Sequence, residues 1–338
     1  MNNLQKMVDL FQPNPIVEKI MGQLADKILE LDQRRNLPCG YLKTALALHL
    51  PQYPLDTLCL GGQDDLTANR QFLNVQGEQL AKMIYDKIHS LPTELKKMTL
   101  LARRTSKIVH HSKEIIEVDN DGRERPVYFA RVDPNIGELI QQKLHYIGYP
   151  RDDTLFHFGL FRQRGEFPFA YAAFSILDRK YVQNNLPFEL PMNNLLVLTR
   201  SFNINNSPEN AMSLLFSQCL QFFKKNLEVL KFEAILTAVN PNLFFKAVSF
   251  RACWFFPFAT TPFEPLYYHG RYITRKHCQK EFGTQEKSRL LSNGYLAPHR
   301  IECRPTVWLG CGVSQDIFDR FTVNQEIKVV TSKEYQKG

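Results

Sequence analysis

Residues 193–226 read NNLLVLTRSFNINNSPENAMSLLFSQCLQFFKKN, and the chain continues to 274 as LEVLKFEAILTAVNPNLFFKAVSFRACWFFPFATTPFEPLYYHGRYIT. The apolar run 195–198 has the length and bounds of a buried strand. A polar loop follows over 200–206. Ser207-Pro208-Glu209 then reads as a helix start. A serine hydroxyl can accept an early backbone N–H, proline is pre-set for the first helical position, and an acid suits the positive end of the helix. Residues 211–225 carry that helix. A second strand spans 232–239, and Asn240-Pro241-Asn242 breaks it and caps a short helix to about 250. Aromatic strands near 252–258 and 265–274 close the unit. Strand, loop, helix, strand, helix, strand, strand is an α/β (α+β) order, with a functional loop expected at the carboxyl end of the first strand.

With 338 residues the chain can bury a large core, and two domains are expected. Hydrophobic residues make up 44% and 25 residues are Phe, which excludes a disordered chain. No apolar run approaches the ~20 residues that span a bilayer, so no membrane partner is expected. The first residues, MNNLQKMVDLFQPNPIVEK, lack the basic-then-apolar layout of a signal peptide, and a cytoplasmic protein with reduced cysteines is expected. The seven Cys form no C-x-x-C pair and are odd in number, which speaks against a zinc site and a full disulfide framework. The net charge is +8, from 42 Lys plus Arg against 34 Asp plus Glu. That permits a polyanion partner without demanding one.

Moving outward, residues 1–130 read as a mainly helical N-terminal region. Ile16, Ile20, Leu24, Ile28 and Leu31 recur at helical spacing, and 78–90 is a second helical run. Residues 95–113 set an apolar stripe beside a basic face of Lys96, Lys97, Arg103, Arg104 and Lys107. Clustered cations of this kind contact phosphate backbones by releasing counterions. The alternative is a solvated helix face packed on the next domain. Residues 115–133 read as a hairpin, 135–147 as a helix ending at Gly148, and 155–161 and 167–177 as strands, the second almost wholly apolar and so central in a sheet. After 274 a basic, polar extension wraps the core to 312, and 313–338 is a tail with a last helix or strand and a frayed end. The catalytic unit is expected over 131–312.

From 155 to 274 the element order resembles the GNAT acyltransferase superfamily: a hairpin leads to a central strand, its carboxyl-end loop opens a helix, and a second strand splays beside it. Within it, VLTRSFNINNSPENAMSLLF, TAVNPN and YYHGRYITRKH, with KEFGTQEKSRLLSNGYLAPHRIECRP as an extension, are similar to the Mom-type branch that modifies bacteriophage DNA. The resemblance covers roughly 135–312. It implies a GNAT-like mixed sheet with flanking helices and a cleft for an acyl-type donor such as acetyl-CoA. It also implies transfer to an amine, on a nucleobase of DNA or RNA or on a small-molecule or aminoacyl acceptor. A GNAT-like module that has lost catalysis is the third reading. Two departures stand out. The loop 200–207 has no glycine to cradle a pyrophosphate with backbone amides, and Glu209 would sit poorly beside one. The position of the family's tyrosine general acid holds Phe245, and its glycine is Ser249.

The donor-binding candidates are Arg200, Asn203, Asn205, Ser207, Thr237, Asn240 and Asn242. Arg200 offers a planar fork for phosphate or carboxylate, and the asparagines are donors or plain turn formers. Asp178 is a candidate general base, or a strand-end ion pair with Arg179, and His157 flanks the same hairpin. Tyr268, His269 and Tyr272 are candidate proton donors. They alternate with Arg271 and Arg275, a mixture suited to an unstacked base or to an edge strand with one buried face.

Overall fold

The computed structural model describes residues 9–23, 41–52, 93, 97, 113–118, 124–162, 167–203, 210–324 and 326–337. Its strands are β1 (Lys113–Val118), β2 (Glu124–Arg131), β3 (Thr154–Phe161), β4 (Ala170–Ile176), β5 (Leu195–Asn203), β6 (Ala234–Val239), β7 (Phe256–Thr261), β8 (Leu266–Tyr268), β9 (Arg271–Ile273), β10 (Ala297–Pro298), β11 (Thr306–Gly312) and β12 (Lys328–Val329). Its helices are α1 (Pro15–Gln23), α2 (Tyr41–His49), α3 (Pro134–Lys143), α4 (Lys180–Asn184), α5 (Ala211–Lys225), α6 (Leu227–Leu230), α7 (Val248–Ala252), α8 (Arg275–Phe282), α9 (Lys287–Ser292), α10 (Gln315–Val323) and α11 (Ser332–Lys337). One nine-stranded sheet runs β1-β2-β3-β4-β5-β6-β11-β7-β12, and β10-β8-β9 form a small second sheet. Pairing is antiparallel from β1 to β5, parallel between β5 and β6, and antiparallel on both sides of β11. The expected mixed α/β architecture is therefore present.

Both faces of the sheet are covered, which is why β4 reads AYAAFSI with no polar alternation. One face packs on α5, whose Leu215, Phe216, Cys219, Leu220 and Phe223 recur at helical spacing. Phe156, Phe158, Phe174 and Phe232 meet Phe223 there, all edge to face at 5.2–6.4 Å. The other face carries α1, α2 and α3 towards one end and α4 and α10 towards the other. No helix among the described residues is long and apolar enough to cross a membrane.

The structure departs from the sequence reading in several places. The stretch TVWLGCG, read as part of a wrapping extension, is the buried strand β11 between β6 and β7. Its glycines mask the strand signal, because glycine weakens strand propensity and marks close approach. A Cβ on Gly310 would fall 2.2 Å from the Phe321 ring, and one on Gly312 would fall 2.0 Å from the backbone nitrogen of Phe318. The tail beyond 313 is ordered by that contact. Ser314 caps α10, Phe321 is fully buried, and β12 adds a parallel strand to β7. The expected strand 265–274 is instead the hairpin β8–β9, outside the main sheet, turned by His269 and Gly270, both left-handed. The helix after β5 starts at Ala211 behind an Asn210 N-cap, while 204–209, including the expected start at Ser207, lie outside the described residues. The β1–β2 hairpin belongs to the main sheet, and α1 and α2 share a core with α3, so residues on both sides of 130 build one packed unit.

Gly312→Ala forces a methyl group against the α10 backbone, which cannot give way as a side chain tip can. Overpacking of this kind costs about 2 kcal/mol, measurable as a lower urea midpoint at unchanged slope. Gly22→Ala, with nothing within 4 Å of the added methyl, should leave the midpoint unchanged or slightly raised.

Candidate functional site

The β5–β6 ladder is short. It runs from Leu195 opposite Ala234 to Leu198 opposite Thr237. Beyond that rung β5 stays on β4, ending with Asn203 opposite Ala170, and β6 stays on β11, with Val239 opposite Val307. Each strand keeps its outer neighbour, so the two part from each other. The Thr237 hydroxyl donates to the Leu198 carbonyl at 3.1 Å, satisfying an acceptor at the last rung.

A β-bulge sits at the same place. Ala173 pairs with Arg200 and Phe174 with Leu198, leaving Thr199 unmatched. The Thr199 hydroxyl donates to the Ala173 carbonyl at 3.3 Å. Strict alternation would place Arg200 on the α5 face with Leu196 and Leu198. The extra residue turns it to the opposite face, with Tyr171, Ala173 and Phe202.

A cavity of roughly 330 Å³ fills the fork. On the α5 face it is apolar, walled by Leu198, Met212, Phe216 and Phe250, the last two rings stacked at 4.6 Å. On the other face it is polar, walled by Thr44, His145, Tyr146 and Arg200. The segment 244–250 closes the outer side, with Lys246 exposed at the rim. Phe244 and Ala247 are left-handed although neither is glycine, a conformation that costs about 1 kcal/mol or more per residue.

Burial, with the nearby Arg151 charge against it, lowers the Arg200 pKa to about 10, so the guanidinium stays charged at neutral pH. Its Nη1 donates to the Thr199 carbonyl at 2.8 Å and its Nη2 reaches the Tyr149 carbonyl only at 3.5 Å. Its Nε is out of solvent and has no acceptor. His145 is buried, and burial and then the Arg200 charge hold its pKa well below the ordinary value. Its Nδ1 accepts from the Ile147 N–H at 3.3 Å, which leaves the proton of the neutral ring on Nε2. Burial pushes the Tyr146 phenol up to about 12. The Tyr146 ring lies 4.4 Å from His145 and 5.7 Å from Phe245.

Of the sequence candidates, Arg200, Asn203 and Thr237 line this cavity. Asn240 and Asn242 do not. The Asn242 amide exchanges two hydrogen bonds of 2.8 Å with the backbone of Arg304, and Asn240 Oδ1 accepts from Asn242, so both asparagines anchor the chain after β6. Asp178 lies beyond the far end of β4 and is held by Arg151 at 2.9 Å, which removes it as a base for the fork. His157 is buried away from the cavity and shares a 2.6 Å hydrogen bond with the Tyr171 hydroxyl, which also accepts from Gln141. Tyr268 packs on Phe282, and His269 forms the β8–β9 turn. Tyr272 is packed into the core beside α2 and α3, where burial pushes its phenol up. Arg275 lies 3.9 Å from Glu264 and 4.5 Å over the Tyr335 ring, while Arg271 and Lys97 are exposed. Asn205, Ser207, Lys96, Arg103, Arg104 and Lys107 lie outside the described residues. His145 and Tyr146 were missed because the helical pattern runs on past them, whereas α3 stops at Lys143 and the turn to Gly148 swings both into the fork. Among the described residues no group of His, Cys, Asp and Glu could hold a metal ion. No protein-family model matches the chain, and no curated protein sequence matches it.

Burial, with Arg131 nearby, lowers the His157 pKa to about 4 from 6.5. Between those values the unfolded chain binds a proton that the fold does not, so stability falls as pH falls through this window. His157→Gln keeps an acceptor for Tyr171 and should shallow the fall, measured as urea midpoints from pH 7 to 4. An identical slope in the variant would rule His157 out as a source of acid sensitivity.

Proposed function

We propose that this chain is a GNAT-like transferase that moves an acyl-type group onto an amine held in the fork between β5 and β6. The supporting observation is the fork itself: two parallel strands that separate after four rungs around a cavity open to both faces of the sheet. Such a parting is consistent with the splayed pair that the resemblance to the GNAT superfamily implies. Transfer between two molecules needs their reacting atoms held ~3–3.5 Å apart and oriented. A slot with an apolar arm on one face and a polar arm on the other lets donor and acceptor enter separately and meet between the strands.

A thioester donor such as acetyl-CoA would supply an activated acyl carbon. Its amide-rich arm suits the edges of β5 beyond Leu198 and β6 beyond Thr237, where no β5–β6 ladder bonds form. The N-terminus of α5, a helix of fifteen residues with no acid in its first turn, offers backbone N–H groups for the anionic end. In the fork, Tyr146 keeps its proton and stands beside Phe245, the position of the family's tyrosine, so its hydroxyl is the candidate acid for the departing sulfur. His145 Nε2–H is a second donor aligned by the Ile147 amide. The acceptor class we favour is a small-molecule or aminoacyl amine. Two members of the aromatic and basic stretch that would stack a DNA or RNA base are engaged in the fold: Tyr267 donates to the Leu48 carbonyl, and Arg275 is held by Glu264 and Tyr335.

Acetyl-CoA and related thioesters should raise the melting temperature of the full chain. Ser249→Trp, which fills the cavity wall, should abolish the shift while leaving the circular dichroism spectrum unchanged. No stabilisation by any thioester at 1,000-fold the usual micromolar Kd, where linkage gives about 4 kcal/mol, would leave a GNAT-like module without catalysis. Tyr146→Phe should lower kcat by roughly 100-fold with KM nearly unchanged, the mark of a proton donor.

A further inference from the structure

We propose that Arg200 is the oxyanion clamp of the fork, and that the acceptor it receives is a small amine-bearing carboxylic acid bound through its carboxylate. This rests on the transferase reading for the amine, and on Arg200 alone for the acid. The bulge at Thr199 places Arg200 on the face opposite α5, so the acid enters from the α1, α2 and α3 side. One corner of the guanidinium is fixed, because Nη1 donates to the Thr199 carbonyl at 2.8 Å. The remaining edge is unsatisfied: Nε is out of solvent with no acceptor, and Nη2 makes one contact at 3.5 Å. Nε–H and Nη2–H are parallel donors spaced for two carboxylate oxygens.

Among the described residues no carboxylate pairs with Arg200, and the nearby cation Arg151 has its own partners in Asp153 and Asp178 at 2.6 and 2.9 Å. Burial keeps Tyr146, Tyr171 and Tyr272 protonated, so the rings around Arg200 are neutral. Arg200 is half-buried by surface exposure, with its Nε out of solvent, and such a cation without a counter-charge among the described residues carries a desolvation cost that an arriving anion reduces. The single positive charge matches a carboxylate, whereas a phosphate carries close to two charges and is taken by clusters of arginines. A cavity of roughly 330 Å³ lies at the small end of ligand sites, which limits the acid's size.

The test is thermal shift and calorimetry on the full chain with acetate, glycine, glutamate, inorganic phosphate and acetyl-CoA as separate probes. At least one carboxylate should bind saturably. Arg200→Met should weaken it by roughly 10- to 100-fold, the range for a lost charge-assisted pair, and Arg200→Lys should not restore it. Without ligand, Arg200→Met should melt at or above the wild-type temperature, since it removes an uncompensated charge. A structural arginine predicts the reverse, a lower melting temperature. The clamp is overturned if no carboxylate binds, if phosphate alone does, or if Arg200→Met binds carboxylates as well as wild type. Carboxylate binding that needs Arg200, with no response to acetyl-CoA, would overturn the transferase reading and leave the clamp standing.

Discussion

Everything at this site follows from where one ladder ends. Strands β5 and β6 are each held more firmly on the outside than by each other, β5 by β4 and β6 by β11. Strand twist then separates them, and four rungs are all they share. Backbone polar groups at such a parting must find new partners. The structure supplies the Thr237 hydroxyl to the Leu198 carbonyl at the parting and the Thr199 hydroxyl to the Ala173 carbonyl at the neighbouring β4–β5 bulge. Past those two, the strand edges border open space.

The outer supports explain features remote from the fork. β11 can lie flat between β6 and β7 because Gly310 and Gly312 admit α10 at backbone contact. Asn242, 62 residues before Arg304 in the chain, copies a strand pairing with its side-chain amide and ties the end of β6 to the approach to β11. The wall 244–250 leaves that anchor and bends back over the cavity. Its position is a consequence of how β6 is secured.

The sequence shows the parts of this arrangement that have a period. A four-residue apolar run, a helix with two apolar rows and a second run ended by Asn-Pro are local signals, and β5, α5 and β6 stand where those signals place them. The rest depends on single residues with no period. A bulge adds one residue without changing composition, so the face of Arg200 is invisible until β4 is beside it. Glycines in β11 hide a central strand for the same reason that they are needed there. Asn240 and Asn242 look like ligand groups because an amide suited to a substrate is equally suited to a backbone 62 residues away.

Departures from the ordinary rules of a folded chain concentrate around the cavity. Lys231 and Trp254 are left-handed where short helices end, and His269 is left-handed in a hairpin turn, all places where that conformation is common. Ala247 is different. It precedes α7, where an extended backbone is usual, and no side-chain cap compensates. It lines the same cavity as a bulged strand, a buried neutral histidine and a guanidinium with no counter-charge among the described residues. Each of these opposes folding, and among the described residues single hydrogen bonds to His145 Nδ1, from Thr199 and from Arg200 Nη1 compensate them only in part. Local conflicts gathered in one concave place point to a purpose other than stability.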